Sequence, residues 1–131
     1  MLLRKTMSLL GIGSAKIDLI LEKRTYAPGE KVSGYFLLKG GTVDQTIKHI
    51  HCDLVMVDDE KEQETVVDTT TILSSRKIQS NEEDQLSFSF TIPEDSERSR
   101  KNLYYYFKSK LVFHEGMESK DHDIIYLKSN L

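Results

Sequence analysis

His49, His51 and Asp53 stand at alternate positions, so in an extended segment their side chains project from one face, and two imidazoles beside a carboxylate offer donors that zinc takes. A closed zinc site needs further converging ligands, and the other histidines, His114 and His122, lie far along the chain. The expectation is a solvated strand face that holds no metal. Cys52 is adjacent to His51, which would suit a thiolate activated by imidazole. Adjacent side chains of a strand project to opposite faces, so the two form no dyad, and Cys52 reads as a small buried hydrophobe.

Other fragments of chemistry lack their surroundings. Gly11 and Gly13 resemble part of a phosphate-binding loop, but no strand precedes them and no helix pattern follows. Ser74 and Lys77 have the Ser-x-x-Lys spacing of acyl-transfer enzymes, which requires a helix start; in a strand, three positions put them on opposite faces. Asp58 with Asp59, and Glu82 to Asp84, fall in polar turns without the spaced ligands of a calcium loop. No nucleophile, base and orienting group can be assembled, so neither catalysis nor a cofactor is expected.

Tyr104, Tyr106, Lys108 and Lys110 make a more useful set. They alternate with Leu103, Tyr105, Phe107 and Leu111, and so form an outward stripe of aromatic rings and ammonium groups, the side chains that anchor partners at protein surfaces. Arg98, Arg100 and Lys101 precede the stripe and would extend its basic character.

These residues need a scaffold, and the hydrophobic pattern supplies one. From residue 15 onward the apolar positions recur with period two. Ile17, Leu19 and Leu21 alternate first and lead to Pro28 and Gly29; Val32, Phe36 and Leu38 follow and stop at Gly40 and Gly41. Ile50, Cys52, Leu54 and Met56 share one face of a central strand, opposite the histidines. Glu64 to Lys77 is rich in Thr and Val and is the candidate edge strand. Leu86, Phe88, Phe90 and Ile92 end at Pro93; after the charged loop 94–102 come the stripe-bearing strand, a polar turn through Gly116 to Asp123, and a short last strand at Ile125 and Leu127. Seven strands with turn signals about every 8 to 12 residues describe an all-β, immunoglobulin-like antiparallel sandwich. Residues 1–14 read as a lead-in segment, a short amphipathic helix on the sandwich, and residues 15–131 as one domain.

Composition narrows the function. The 131 residues carry a formal net charge of -3, which argues against a nucleic-acid partner because phosphate contacts need clustered surplus Lys and Arg. No run approaches the roughly 20 apolar residues of a transmembrane segment. The single cysteine excludes an internal disulfide framework and fits a reducing compartment.

The run from Leu21 to Gly34, LEKRTYAPGEKVSG, followed by Gly40 and Gly41, resembles the opening hairpin of arrestin-like domains. With GIGSAKID at 11–18, VDQTIKHI at 43–50, LSFSFTIP at 86–93 and the stretch from Tyr104 to Leu111, the chain resembles the bacterial sporulation-control (SpoOM) family, over the N-terminal domain of its two-domain members. That resemblance implies an arrestin-like sandwich in a cytoplasmic bacterial protein with a regulatory role, and it supplies no catalytic residues. The expectation is a non-catalytic interaction module or scaffold that binds protein partners, a second copy of itself among them, through sheet edges and loops. The alternative is a module for a glycan or cell-wall ligand, with Tyr26 and Tyr104 to Tyr106 as stacking platforms.

Overall fold

A computed structural model describes residues 13–128. All but Gly13 and Ser14 of the expected lead-in, 1–14, lies outside the described residues. Nine strands follow in chain order: β1 (Lys16–Leu21), β2 (Thr25–Tyr26), β3 (Lys31–Lys39), β4 (Gln45–Asp58), β5 (Gln63–Leu73), β6 (Lys77–Ile78), β7 (Glu83–Thr91), β8 (Leu103–Phe113) and β9 (Glu118–Leu127). They form two layers, a small sheet ordered β1-β3-β7 and a large sheet ordered β2-β9-β8-β4-β5, with β6 paired to β4.

The sandwich forms because each long strand sorts its side chains by parity. β8 alternates without a break, burying Leu103, Tyr105, Phe107, Ser109, Leu111 and Phe113 and turning the intervening residues outward. Between the sheets, Phe88 meets Phe107 edge-on at 5.5 Å between ring centres, and Phe90 meets it at 5.3 Å; Phe36 packs on Phe88 at 5.2 Å. Edge-to-face rings of this kind add to the burial of their area, so one aromatic cluster joins the layers.

The turn after β2 follows from its residues. Pro28 fixes φ at the second position and Gly29 takes φ of 84° at the third, while the Glu30 N–H donates to the Ala27 carbonyl at 3.0 Å. Glu30 in turn accepts the Ala27 N–H at 2.9 Å and pairs with Lys23 at 2.5 Å. Gly34 is required for another reason: it lies opposite Leu21, and a Cβ there would run into the Ile20 carbonyl oxygen.

Three expectations change. The segment 64–77 is two strands, because β5 ends at Leu73 opposite His49 and, after a break, β6 continues in the same direction along the N-terminal end of β4 at Thr46 and Gln45. The pairing is not wholly antiparallel, since Thr25 and Tyr26 lie parallel to Tyr126 and Leu127 of β9. The largest correction is at the C-terminal end, where the expected polar turn reaching Asp123 is mostly the ten-residue strand β9. Its inward positions Ser119, Asp121 and Asp123 are polar, so a hydrophobic pattern could not reveal it.

Candidate interaction face

The large sheet turns one face to solvent, and cross-strand register assembles it. Asp53, Lys108 and His122 form one row across β4, β8 and β9; His51, Lys110 and Lys120 form the next. Val66, Val55, Tyr106 and Ile124 form a third row across β5, β4, β8 and β9. Directly paired residues share a face, so charged and apolar rows lie side by side on one surface.

The stripe expected from sequence sits in the middle of this surface. Tyr106 donates through its hydroxyl to Glu64 Oε1 at 2.8 Å, and its ring lies 5.0 Å from that of His122. Burial and the neighbouring Glu64 carboxylate push the Tyr106 hydroxyl up to about 12, so it stays a donor. Tyr104 is half-buried, Lys108 is exposed, and Lys110 reaches Glu118 at 3.9 Å. Beside the tyrosines Val55 and Val57 are buried although they point away from the core, whereas Val66, Ile124 and Tyr126 remain 55%, 46% and 50% exposed. An apolar patch with a basic flank results. A shallow depression of about 380 Å³, lined by Arg24, His122, Asp123, Ile124 and Tyr126, adjoins it.

The histidine set is organised as a surface network. His51 contacts Thr71 Oγ1 through Nδ1 at 3.0 Å and Asp53 Oδ1 through Nε2 at 3.0 Å, and Thr69 donates to the same Asp53 oxygen at 2.6 Å. His122 stands across Lys108 from Asp53, and His114 lies in the β8–β9 turn with its N–H on the Thr46 carbonyl. Cys52 faces the core at 1% exposure, 3.5 Å from Ser109 Oγ, and burial pushes its thiol up to about 12. Ser74 accepts the Arg76 N–H while Lys77 pairs with Asp44, so that pair is directed apart. Loop 94–102 folds over the end of the sandwich: Ser99 donates its N–H to the Leu127 carbonyl, Tyr105 donates its hydroxyl to the Glu97 carbonyl, and Arg100 pairs with Glu97.

The edge of this sheet is β5. Ten of its eleven residues pair with β4 on one side, and most of its side chains are exposed. Val67 is skipped in the register between Leu54–Asp68 and Val55–Val66, and the resulting bulge twists the edge.

Sequence reasoning missed the seam between β1 and β9. Ala15, Ile17 and Leu19 donate their N–H groups to Gln45 Oε1 at 2.6 Å, Ser119 Oγ at 3.2 Å and Asp121 Oδ2 at 2.8 Å. Side chains of the large sheet thus satisfy the outer edge of the small one. Asp18, Asp121 and Asp123 converge there, and burial together with Asp123 pushes the Asp121 carboxyl up to about 6. No hydropathy signal marked it, because residues 118–123 are polar at every position.

Comparison with known proteins places this architecture. The curated sporulation-control protein Spo0M of Bacillus subtilis (strain 168) is 33% identical over 133 residues, covering 97% of this chain and 52% of that protein. The chain therefore spans about half the length of the curated relative it matches. The crystal structure of Spo0M from Bacillus subtilis superposes with a TM-score of 0.81 over 90% of this chain and 51% of that one. A cycloisomaltooligosaccharide glucanotransferase from Paenibacillus sp. shares the fold alone, at 13% identity and a TM-score of 0.52 over 89% of this chain and 14% of that one. The model of the SpoOM protein family matches residues 3–130, and with the arrestin-like sandwich this shows that the chain belongs to the SpoOM protein family.

Proposed function

We propose that this chain is a non-catalytic regulatory module of the cytoplasm that acts in sporulation control, as the name of its Bacillus relative suggests, by docking protein partners. Residues 15–131 act as one unit. The observation that carries the reading is the β5 edge: a strand of eleven residues bonded on one side only, next to an outer face that bears Tyr104, Tyr106, Lys108 and Lys110. A partner strand adds to such an edge through main-chain hydrogen bonds, and side chains on the adjoining face select it. Glu64 and Asp68 give the edge a negative charge that favours a partner strand rich in Lys or Arg. The same edge can accept a second copy of the chain, where those like charges and the bulge oppose indiscriminate pairing.

The test is capture of partners from native lysate by the wild type and by the double variant Val66→Lys, Leu73→Lys, both at exposed positions, with sedimentation of each. Specific partners or self-association in the wild type, lost in the variant, are expected. A monomeric wild type that captures no specific protein would remove the support for docking.

A further inference from the structure

The two layers differ in width. The small sheet has three strands, and its edge strand β7 lays Phe88 and Phe90 on Phe107 of β8, while the large sheet continues past β8 to β4 and β5. The bonds from Ile17 and Leu19 to Ser119 and Asp121 fix β1 at the β9 side, so β5 and β7 both lie at the opposite, open side of the sandwich. We propose that the N-terminal segment, residues 1–12, docks as an amphipathic helix in the slot between β5 and β7, with Leu3, Met7 and Leu10 against Val67, Ile72 and Leu86.

The slot is apolar and incompletely covered. Ile72 stands directly opposite Ile50, and Thr70 opposite Cys52, so both share the inner face with the core residues of β4. Val67, Ile72 and Leu86 pack on the core but are half-buried among the described residues, whereas Ile50, Leu54 and Phe88 beside them are buried. One more element laid along β7 would take that apolar surface out of water. The docked segment leaves the free edge of β5 and the outer face open.

Position, length and pattern select this segment as the occupant. The Thr42 N–H donates to the Gly13 carbonyl at 2.9 Å, the Asn81 N–H donates to the Gly41 carbonyl at 3.0 Å, and β7 begins at Glu83, so Gly13 stands at the end of the sandwich where β7 starts. β5 finishes toward the same end, with Leu73 opposite His49 near the start of β4. Residues 1–12 make a helix of about 18 Å, and the β5 positions from Ile72 to Val67 span about 17 Å. Leu3, Met7 and Leu10 recur at i, i+4 and i+7, the stripe of a helix with one buried face. With Leu10 nearest Gly13, Leu3 falls toward Val67 and brings Arg4 and Lys5 to Asp68, an exposed carboxylate opposite Leu54 on the inner face. Opposite charges thus meet at the far end of the slot.

The experiment uses the full chain, isotope-labelled for amide spectra, with a nitroxide attached through Ser8→Cys on the polar side of the stripe; Cys52 is buried and stays unlabelled. Paramagnetic broadening is expected at Thr70, Ile72 and Leu86 and not at Tyr104 or Lys110 on the outer face. Adding Met7→Asp and Leu10→Asp is expected to abolish that broadening while circular dichroism stays unchanged, since both residues precede the sandwich. Asp68→Lys is expected to reduce it. Broadening that spares the slot in the folded chain would overturn the proposal, and so would broadening that survives Met7→Asp with Leu10→Asp. Broadening that passes only from a nitroxide-bearing copy to a separate isotope-labelled copy would make the occupant a second copy's segment. A label that leaves the slot untouched and binds phosphatidylglycerol vesicles would assign the stripe to a lipid surface. Either result overturns docking within one chain.

Discussion

Asp121 accepts the main-chain N–H of Leu19 at 2.8 Å across a seam where β9 and β1 belong to different sheets. This bond does for the edge of the small sheet what a neighbouring strand would otherwise do. Two further side chains, Gln45 and Ser119, repeat it at Ala15 and Ile17. Beyond the seam, β2 joins β9 directly, so one stretch of chain first leans on β9 through side chains and then pairs with it.

Removing the acceptor should orphan a donor at that seam. Asp121→Ala is expected to be less stable than Asp121→Asn by about 1–3 kcal/mol, because asparagine keeps an oxygen for the Leu19 N–H and alanine does not. Both variants lose the carboxylate charge, so the difference isolates the bond. Urea unfolding followed by circular dichroism measures it, and equal midpoints would show that the bond contributes nothing.

Phe107 stands where the two layers meet, fully buried between Phe88 and Phe90. Phe107→Ala is expected to cost about 3–5 kcal/mol, from lost burial and the cavity left behind. The exposed counterpart Lys108→Ala should stay within about 0.5 kcal/mol of wild type. Denaturant midpoints of the two variants check the contrast.

At Gly29 the positive φ of 84° is the relevant constraint. Gly29→Ala should destabilise by about 1–2 kcal/mol through the left-handed conformation alone. Gly34→Ala should be worse, since its Cβ would meet β1 backbone and push the strands apart. Thermal unfolding ranks them, and the reverse order would contradict the assigned causes.

Cys52 provides a pH test. Its thiol is buried and pushed up to about 12, so below that value it stays neutral in the folded chain. An ordinary thiol of the unfolded chain ionises near pH 8.5, so between about pH 8 and 11 the unfolded chain holds fewer protons and stability falls as pH rises. Labelling by a disulfide reagent at pH 8 is expected to be slow in buffer and fast in denaturant. Rapid labelling of the folded protein would show that the thiol is accessible.

The strands that bury hydrophobic residues at alternate positions were legible in the sequence. β8 and β7 were readable from Leu103 to Phe113 and from Leu86 to Ile92, and the outward placement of Tyr104, Tyr106, Lys108 and Lys110 followed from parity. The edge strand β5 falls within the Thr- and Val-rich segment Glu64 to Lys77 that the sequence offered as the candidate edge. β9 was not, because Ser119, Asp121 and Asp123 face inward to bond another strand's main chain, and alternation of polar with polar carries no hydropathy signal. The acidic cluster was hidden for the same reason: Asp18 and Asp121 are 103 residues apart, and only the crossing of β1 over the end of the large sheet brings them together.

Lysine cross-linking with mass spectrometry in the native host most directly tests docking through the β5 edge and the outer face. Cross-links to a partner are expected from Lys108 and Lys110 on that face and from Lys61 and Lys77 beside the two ends of β5. Cross-links confined to Lys16, Lys31 and Lys39, which belong to the small sheet, would contradict the account.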